Sequence, residues 1–149
     1  MMNIRFYTHT DRYVLEKMIH ELYDESKVLT PTDEELQKTI AFFNTFTQCG
    51  RVYVFEIDGE LIGYSIVLNI WKNRFCKLCY LIDEIYVKKG FKKDKVESEF
   101  IDFLTETADI YGILIRFDSL NNASKKSLKN AGFDKDEHDL YIKIAKGMI

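Results

Sequence analysis

The segment from Leu81 to Leu104 holds the residues whose types and spacing best suit chemistry. It reads as an apolar strand ending at Val87, a short basic loop and an amphipathic helix. A helix N-terminus offers unpaired N–H groups and roughly half a positive charge. A strand that leads through a basic turn into such a helix is therefore a general way to build a site for an anion. Lys92, Lys93 and Lys95 lie nearest to the start of this helix.

Composition limits the classes of protein to which the chain can belong. The 149 residues are 46% hydrophobic and 30% charged, with a net charge of -3, so we expect one globular domain over residues 1–149. The charge does not favour nucleic acid. No apolar run approaches the roughly 20 residues that span a bilayer, and the N-terminus lacks the apolar segment of a signal peptide. We therefore expect a cytoplasmic protein that binds neither nucleic acid nor membrane.

The first third of the chain has the periodicity of one strand and two helices. Alternation predicts a strand from Asn3 to Thr8, and apolar residues at helical spacing predict a helix from Asp11 to about Ser26. Thr32 and Glu35 have the spacing of a capping box, in which each side chain satisfies the other residue's amide. A second helix is expected to follow, reaching towards Phe46.

The middle of the chain changes to the pattern of strands. Arg51 to Ile57 and Leu61 to Trp71 are rich in β-branched and aromatic residues, and Asp58-Gly59 between them is a strong hairpin signal. A third strand is expected from about Phe75 to Val87. These three strands predict an antiparallel meander.

The last third predicts alternating helices and strands. The elements expected there are a helix with a stripe from Val96 to Thr107, a strand from Ile113 to Phe117, a short helix from Asn121 or Asn122 to Ala131-Gly132-Phe133, and a strand from Leu140 to Ile144. The whole order is β-α-α-β-β-β-α-β-α-β. We therefore predict an α/β fold, with a mixed sheet and helices on both faces.

This order, and the run Ile82-Asp83-Glu84-Ile85-Tyr86-Val87, resemble the GNAT N-acetyltransferases. Asn121 followed by Gly132-Phe133 resembles the second acyl-CoA segment of that family. The resemblance implies a GNAT-like domain that uses acetyl-CoA as cosubstrate. It also implies that the backbone of Ile85 and Val87 receives the pantetheine arm and the thioester, that the turn from Lys92 to Ser98 holds the pyrophosphate, and that Asn121 helps to position pantetheine. The cofactor-binding residues so implied are Ile85, Val87, Lys92, Lys93, Lys95, Val96, Glu97, Ser98 and Asn121.

The turn departs from the family pattern at two positions. Lys95 and Glu97 occupy positions at which the family has glycine or another small residue. A small residue there lets the backbone amides approach the phosphates closely. Asp94 and Glu97 have the spacing of a capping box, and as caps they would compete for those amides. A Glu97 carboxylate about 5 Å from a phosphate would weaken binding by about 3 kcal/mol at an effective dielectric of 20, or about a hundredfold. The alternative interpretation is a self-capped helix behind a solvated basic loop.

Acyl transfer to an amine needs a base that removes a proton from the ammonium. The resemblance points to Glu84 or Asp83, which stand where related enzymes that acetylate polyamines have acidic residues facing the substrate. Because successive strand residues point to opposite faces, we expect only one of the two to do so, and we favour Glu84 for its longer reach. The alternative is a carboxylate at a strand edge that pairs with a lysine.

The family's usual general acid is a tyrosine, and here Leu128 occupies its position. Tyr86, Tyr111 and Tyr141 are other phenols, but no spacing places them at the sulfur.

Cys76 and Cys79 form an isolated Cys-x-x-Cys pair. A structural zinc needs four ligands, and the other cysteine and the histidines are scattered. We therefore expect core thiols and no metal.

The resulting prediction is an N-acetyltransferase that moves an acetyl group from acetyl-CoA to a primary amine, either a small molecule or a polyamine-like compound. The alternative is a non-catalytic member of the fold that binds a ligand or a protein partner, which Lys95, Glu97 and Leu128 together suggest. A homodimer remains an open alternative to a monomer.

Overall fold

The computed structural model describes residues 1–116, 125–135 and 141–145. The strands are β1 (Met2–Phe6), β2 (Gly50–Ile57), β3 (Glu60–Lys72), β4 (Lys77–Val87) and β5 (Gly112–Ile115). The helices are α1 (Arg12–Ser26), α2 (Asp33–Thr45), α3 (Lys93–Thr107) and α4 (Lys125–Asn130), and a 3-10 turn (His9–Asp11) precedes α1. The predicted order is thus confirmed from β1 to α4.

All five strands form one sheet in the order β1-β2-β3-β4-β5. The pairs from β1 to β4 are antiparallel, whereas β4 and β5 are parallel. Parallel neighbours require a crossover connection, and α3 provides it. α3 begins at Lys93, within the predicted range. The parallel pairing of β4 with β5 beside antiparallel pairs confirms the predicted mixed sheet.

The two faces of the sheet carry different helices. Residues of α1 and α2 pack with Val52, Val54 and Tyr64 in one buried cluster. Residues of α3 pack with Phe55, Ile82 and other strand residues in a second cluster. The sheet therefore buries apolar side chains on both of its faces. The predicted arrangement of helices on both faces is confirmed.

Local signals near the helix and hairpin boundaries act as expected. The Thr32 hydroxyl accepts a hydrogen bond from the Glu35 amide at 3.1 Å at the start of α2. Asp58 and Gly59 adopt positive φ values of 51° and 80° between β2 and β3, as a type I′ turn requires. Short-range chemistry therefore sets these two boundaries.

The predicted last strand is not observed in the part of it that the structure describes. Residues 141–145 have no regular structure, and Tyr141 is 92% exposed. Alternation favours a strand, but a strand also needs a neighbour whose backbone groups it can pair with. Leu140 lies outside the described residues.

In the described part of the chain, no helix is both long enough and apolar enough to cross a bilayer.

Candidate functional site

The candidate site lies where β4 and β5 cease to pair. Their parallel pairing runs from Cys79 and Gly112 to Ile82 and Ile115. β4 then continues to Val87, and no described residue pairs with this last part on the β5 side. The sheet therefore opens along one edge of β4.

The direction of the backbone groups on this open edge follows from the ladder with β3. The Lys88 amide donates to the Ile62 carbonyl at 2.8 Å. In an antiparallel pair, residues alternate between those bonded to the partner and those whose amide and carbonyl point away. Glu84 and Tyr86 therefore point their backbone groups at β3, whereas Ile85 and Val87 point theirs at the opening. The resemblance implied a role in binding acetyl-CoA for the backbone of these last two residues, and that role stays a prediction.

A cavity of about 320 Å³ lies beside the opening, between β4, α3, β5 and α4. Its apolar lining includes Ile85, Ile101, Ile115, Leu128 and Phe133, and its polar lining includes Asp94, Glu97 and Ser98. Of the residues expected to bind acyl-CoA, this cavity brings together Ile85, Glu97 and Ser98. The three lysines do not line the cavity: Lys92 is the N-cap residue of α3, and Lys93 and Lys95 lie in its first turn. Val96 is buried in the core. Asn121 lies outside the described residues.

The start of α3 differs from the expected capping box. Lys92, and not Asp94, is the N-cap residue, and it provides no side-chain hydrogen bond. The Val96 amide bonds to the Lys92 carbonyl at 3.1 Å, which closes the first turn. The prediction of an Asp94 cap was wrong because the helix begins earlier, which places Asp94 within the first turn and Glu97 beyond N3. Lys92 therefore supplies no side-chain acceptor to the first amides of α3.

Glu97 nevertheless affects the electrostatics of this cavity. Burial raises the pKa of its carboxyl, the nearby Asp94 raises it further, and Lys93 opposes the change. A negative charge at Glu97 would repel an anion bound beside the first turn of α3.

Glu84 lies on the other face of β4, where it is only 7% exposed. Its carboxylate accepts hydrogen bonds from the hydroxyls of Tyr23 at 2.5 Å and Tyr64 at 2.9 Å. Burial raises the pKa of Glu84, although these two hydrogen bonds oppose it. Burial beside Glu84 also raises the pKa of Tyr64, so this phenol stays a donor. A carboxylate with a raised pKa is suited to accept a proton near neutral pH.

Asp83 and Glu84 reach the same cavity, which contradicts the expectation that only one could face a substrate. Ile66 is opposite Glu84 and Val67 is opposite Ile82, so Asp83 is the extra residue of a β-bulge. A bulge interrupts the alternation of side chains. Both carboxylates line a cavity of about 390 Å³ under α2.

Asp83 is paired with an arginine, and not with a lysine as the alternative interpretation had it. The Arg116 guanidinium lies 2.7 Å from the Asp83 carboxylate. Arg116 directly follows β5, so this ion pair joins the two strands at the point where they separate. Sequence reasoning missed Arg116, Tyr23 and Tyr64, because residues so far apart in the chain carry no joint signal.

A smaller apolar cavity of about 60 Å³ adjoins the acidic one. The two cavities share Thr39, Ile66 and Glu84 in their linings. Glu84 therefore lines both cavities.

None of the three other tyrosines named in the sequence analysis is among the described residues that line the cavity beside α3. The Tyr86 hydroxyl donates to Glu21 at 2.6 Å, Tyr111 stacks on Phe75, and Tyr141 is exposed. Leu128, at the position of the family's tyrosine, does line it.

The cysteines are free thiols. Cys79 is buried as predicted, but Cys76 is exposed because it lies in the turn between β3 and β4. Among the described residues, no group of histidine, cysteine, aspartate and glutamate side chains could hold a metal ion.

Comparisons with known proteins give a clear result for structure alone. No family model matches the sequence, and no curated protein is significantly similar to it. A possible acetyltransferase from Clostridium difficile 630 has a TM-score of 0.82 at 13% identity, over 97% of this chain and 98% of its own. A predicted acetyltransferase from Clostridium acetobutylicum, solved with acetyl-CoA, has a TM-score of 0.72 at 16% identity, over 96% of each chain.

A third similar structure carries the family name. It is a GNAT family acetyltransferase from Staphylococcus aureus subsp. aureus USA300_TCH1516, with a TM-score of 0.68 at 12% identity, over 96% of this chain and 98% of its own. These likenesses, together with the confirmed order of helices and strands, lead to one conclusion: the chain has the fold of the GNAT N-acetyltransferases.

Proposed function

We propose that the protein is an N-acetyltransferase that transfers an acetyl group from acetyl-CoA to a primary amine. The observation that supports this most directly is the open edge of β4. On this edge the backbone groups of Ile85 and Val87 point outward, and Ile85 lines a cavity of about 320 Å³. Glu84 stands on the same strand and faces a second cavity. A thioester and an amine could therefore meet at one place from opposite faces of the sheet.

The residues around the first cavity suit two parts of acetyl-CoA, the pantetheine arm and the phosphates. Apolar side chains such as Ile101 and Ile115 suit a pantetheine arm, and outward backbone groups suit its amides. The first turn of α3 has no cap from Lys92, and the turn is rich in lysines, so it suits an anion. The Glu97 carboxylate, when charged, repels that anion. The bound cosubstrate would supply an activated acyl thioester.

The chain's own groups would carry the proton and charge transfers. Glu84 takes a proton from the acceptor ammonium, directly or through a water, and so frees the nitrogen lone pair. The Val87 amide donates to the acyl oxygen as negative charge grows there. The C–N bond forms as the C–S bond breaks, and the nitrogen then loses its second proton to solvent. The thiolate takes a proton from solvent because no described phenol lines the cavity.

A non-catalytic binding protein is the second candidate. It is favoured by Leu128, which replaces a proton donor, and by the two carboxylates of Asp94 and Glu97 near the anion site. Such a protein would bind a ligand in the same cavity without releasing free thiol.

The test is an incubation with acetyl-CoA and a mixture of primary amines, followed by mass spectrometry and a thiol assay. We expect an amine heavier by one acetyl group and one equivalent of free thiol for each acetyl group transferred. Binding of acetyl-CoA with no acetylated amine and no thiol from any of the amines would favour the second candidate.

A further inference from the structure

The acidic cavity under α2 has a charge pattern that restricts the acceptor. Its charged lining consists of Asp83, Glu84 and Lys38, and its apolar lining consists of Phe42, Phe43 and Ile66. Two carboxylates would suit an acceptor with several ammonium groups only if both were available to it.

Neither carboxylate offers an uncompensated negative charge to a second ammonium group. Asp83 is already paired with Arg116 at 2.7 Å. Glu84 has both oxygens bonded to phenols, and one proton from one amine is all that it can accept. A diamine would therefore place its second charge in a cavity without a partner for it.

Lys38 is the charged group of this lining that has no partner. It is exposed on α2, and no described carboxylate lies within salt-bridge distance of its ammonium. A cation at the rim repels a polyamine and attracts an anion. Between Lys38 and Glu84 the wall is aromatic and aliphatic, which suits a short hydrocarbon segment.

We propose that the acceptor is a zwitterion, with one primary amine that reaches Glu84 and one anionic group that reaches Lys38, and that it is not a polyamine. This inference rests on the proposed function, since it assigns the second cavity to the acceptor. It replaces the polyamine-like acceptor with a class that carries charges of both signs.

The test compares three amines of one chain length: 5-aminopentanoate, pentylamine and 1,5-diaminopentane. A fourth, 5-aminopentyl phosphate, distinguishes a phosphate from a carboxylate as the anionic group. Binding of acetyl-CoA and of each amine is measured by calorimetry, and acetylation is measured by mass spectrometry. We expect kcat/KM for one of the two zwitterions to exceed that for both other amines by roughly tenfold.

Lys38→Gln provides the decisive variant, because it removes the charge and keeps a side chain of similar length. We expect the zwitterion to lose its advantage over pentylamine, measured as the ratio of the two kcat/KM values in the same variant. Lys17→Gln, at an exposed lysine of α1 outside the cavity, is the matched control and should keep the advantage.

The inference is overturned if the diamine is the best acceptor, if Lys38→Gln keeps the preference, or if acetyl-CoA binds and no zwitterion is acetylated. Absence of acetyl-CoA binding overturns the proposed function instead. In that case, calorimetric binding of a zwitterion that Lys38→Gln abolishes would still support the assigned site, and its absence would contradict it.

Discussion

At the scale of single residues, Glu84 is the group whose environment is most specialised. It is a buried carboxylate held by Tyr23 and Tyr64, and its raised pKa suits a base. We expect Glu84→Gln to lower the rate of acetylation by roughly a hundredfold or more, since general bases contribute about that much. The measurement is the rate between about pH 6 and pH 9 with a responsive amine.

The control for this variant is Asp83→Asn, which alters the neighbouring carboxylate in the same cavity. It should lower the rate less, because Asp83 neutralises Arg116 and takes no proton. An unchanged rate in Glu84→Gln, with parental thermal stability and acetyl-CoA affinity, would mean that Glu84 is not the base.

On the proposed function, we expect Glu97 to make acetyl-CoA binding depend on pH. Its pKa is raised, so as pH falls towards that value the carboxylate gains a proton and its repulsion of a phosphate ends. We therefore expect acetyl-CoA to bind more tightly at about pH 5.5 than at about pH 8, and Glu97→Gln to bind tightly at both, about tenfold or more above the parent at the higher pH.

Calorimetry at low salt measures this dependence, and Asp102→Asn on the exposed face of the same helix is the matched control. Because the phosphates of acetyl-CoA also titrate, the informative quantity is the difference between parent and Glu97→Gln. Equal affinities at the higher pH would show that Glu97 lies away from the bound phosphates.

At the scale of secondary-structure elements, the site depends on close contact between β3 and β4. A Cβ atom at Gly63 would lie 2.3 Å from the Tyr86 carbonyl oxygen and 2.8 Å from the Phe55 ring. Because the first contact is with backbone, the strands would have to separate beside Ile85 and Val87. We expect Gly63→Ala to lower the free energy of unfolding by about 2 kcal/mol, and to weaken acetyl-CoA binding as well.

Chemical denaturation measures the first effect and calorimetry the second. Gly112→Ala on β5 is the control, since its Cβ would meet no atom within 4 Å, and it should stay within about 0.5 kcal/mol of the parent. Equal stability of the two variants would show that β3 and β4 tolerate separation.

The elements with strong local signals were predictable from sequence. The Thr32 cap, the Asp58-Gly59 turn and the crossover helix follow from residues close together in the chain. The bulge at Asp83 was not predictable, because an acidic pair between apolar residues is also compatible with a regular strand. The only local sign is that Ile82 and Ile85, three residues apart, reach the same core. The partners of Glu84 come from α1 and β3, and only the folded chain brings them together.

At the scale of the whole molecule, we propose that the space between β4, α3 and β5 binds acetyl-CoA. Ser98 is exposed on α3 and lines this space, so Ser98→Trp fills the cavity without disturbing the core. Glu99→Trp adds the same side chain one position along, at an exposed residue outside the lining.

Isothermal titration of the parent and these two variants with acetyl-CoA tests that claim most directly. We predict that one equivalent of acetyl-CoA binds to the parent and to Glu99→Trp, and that binding to a folded Ser98→Trp is lost. Absence of binding to the parent, or equal affinity in Ser98→Trp and Glu99→Trp, would contradict the account.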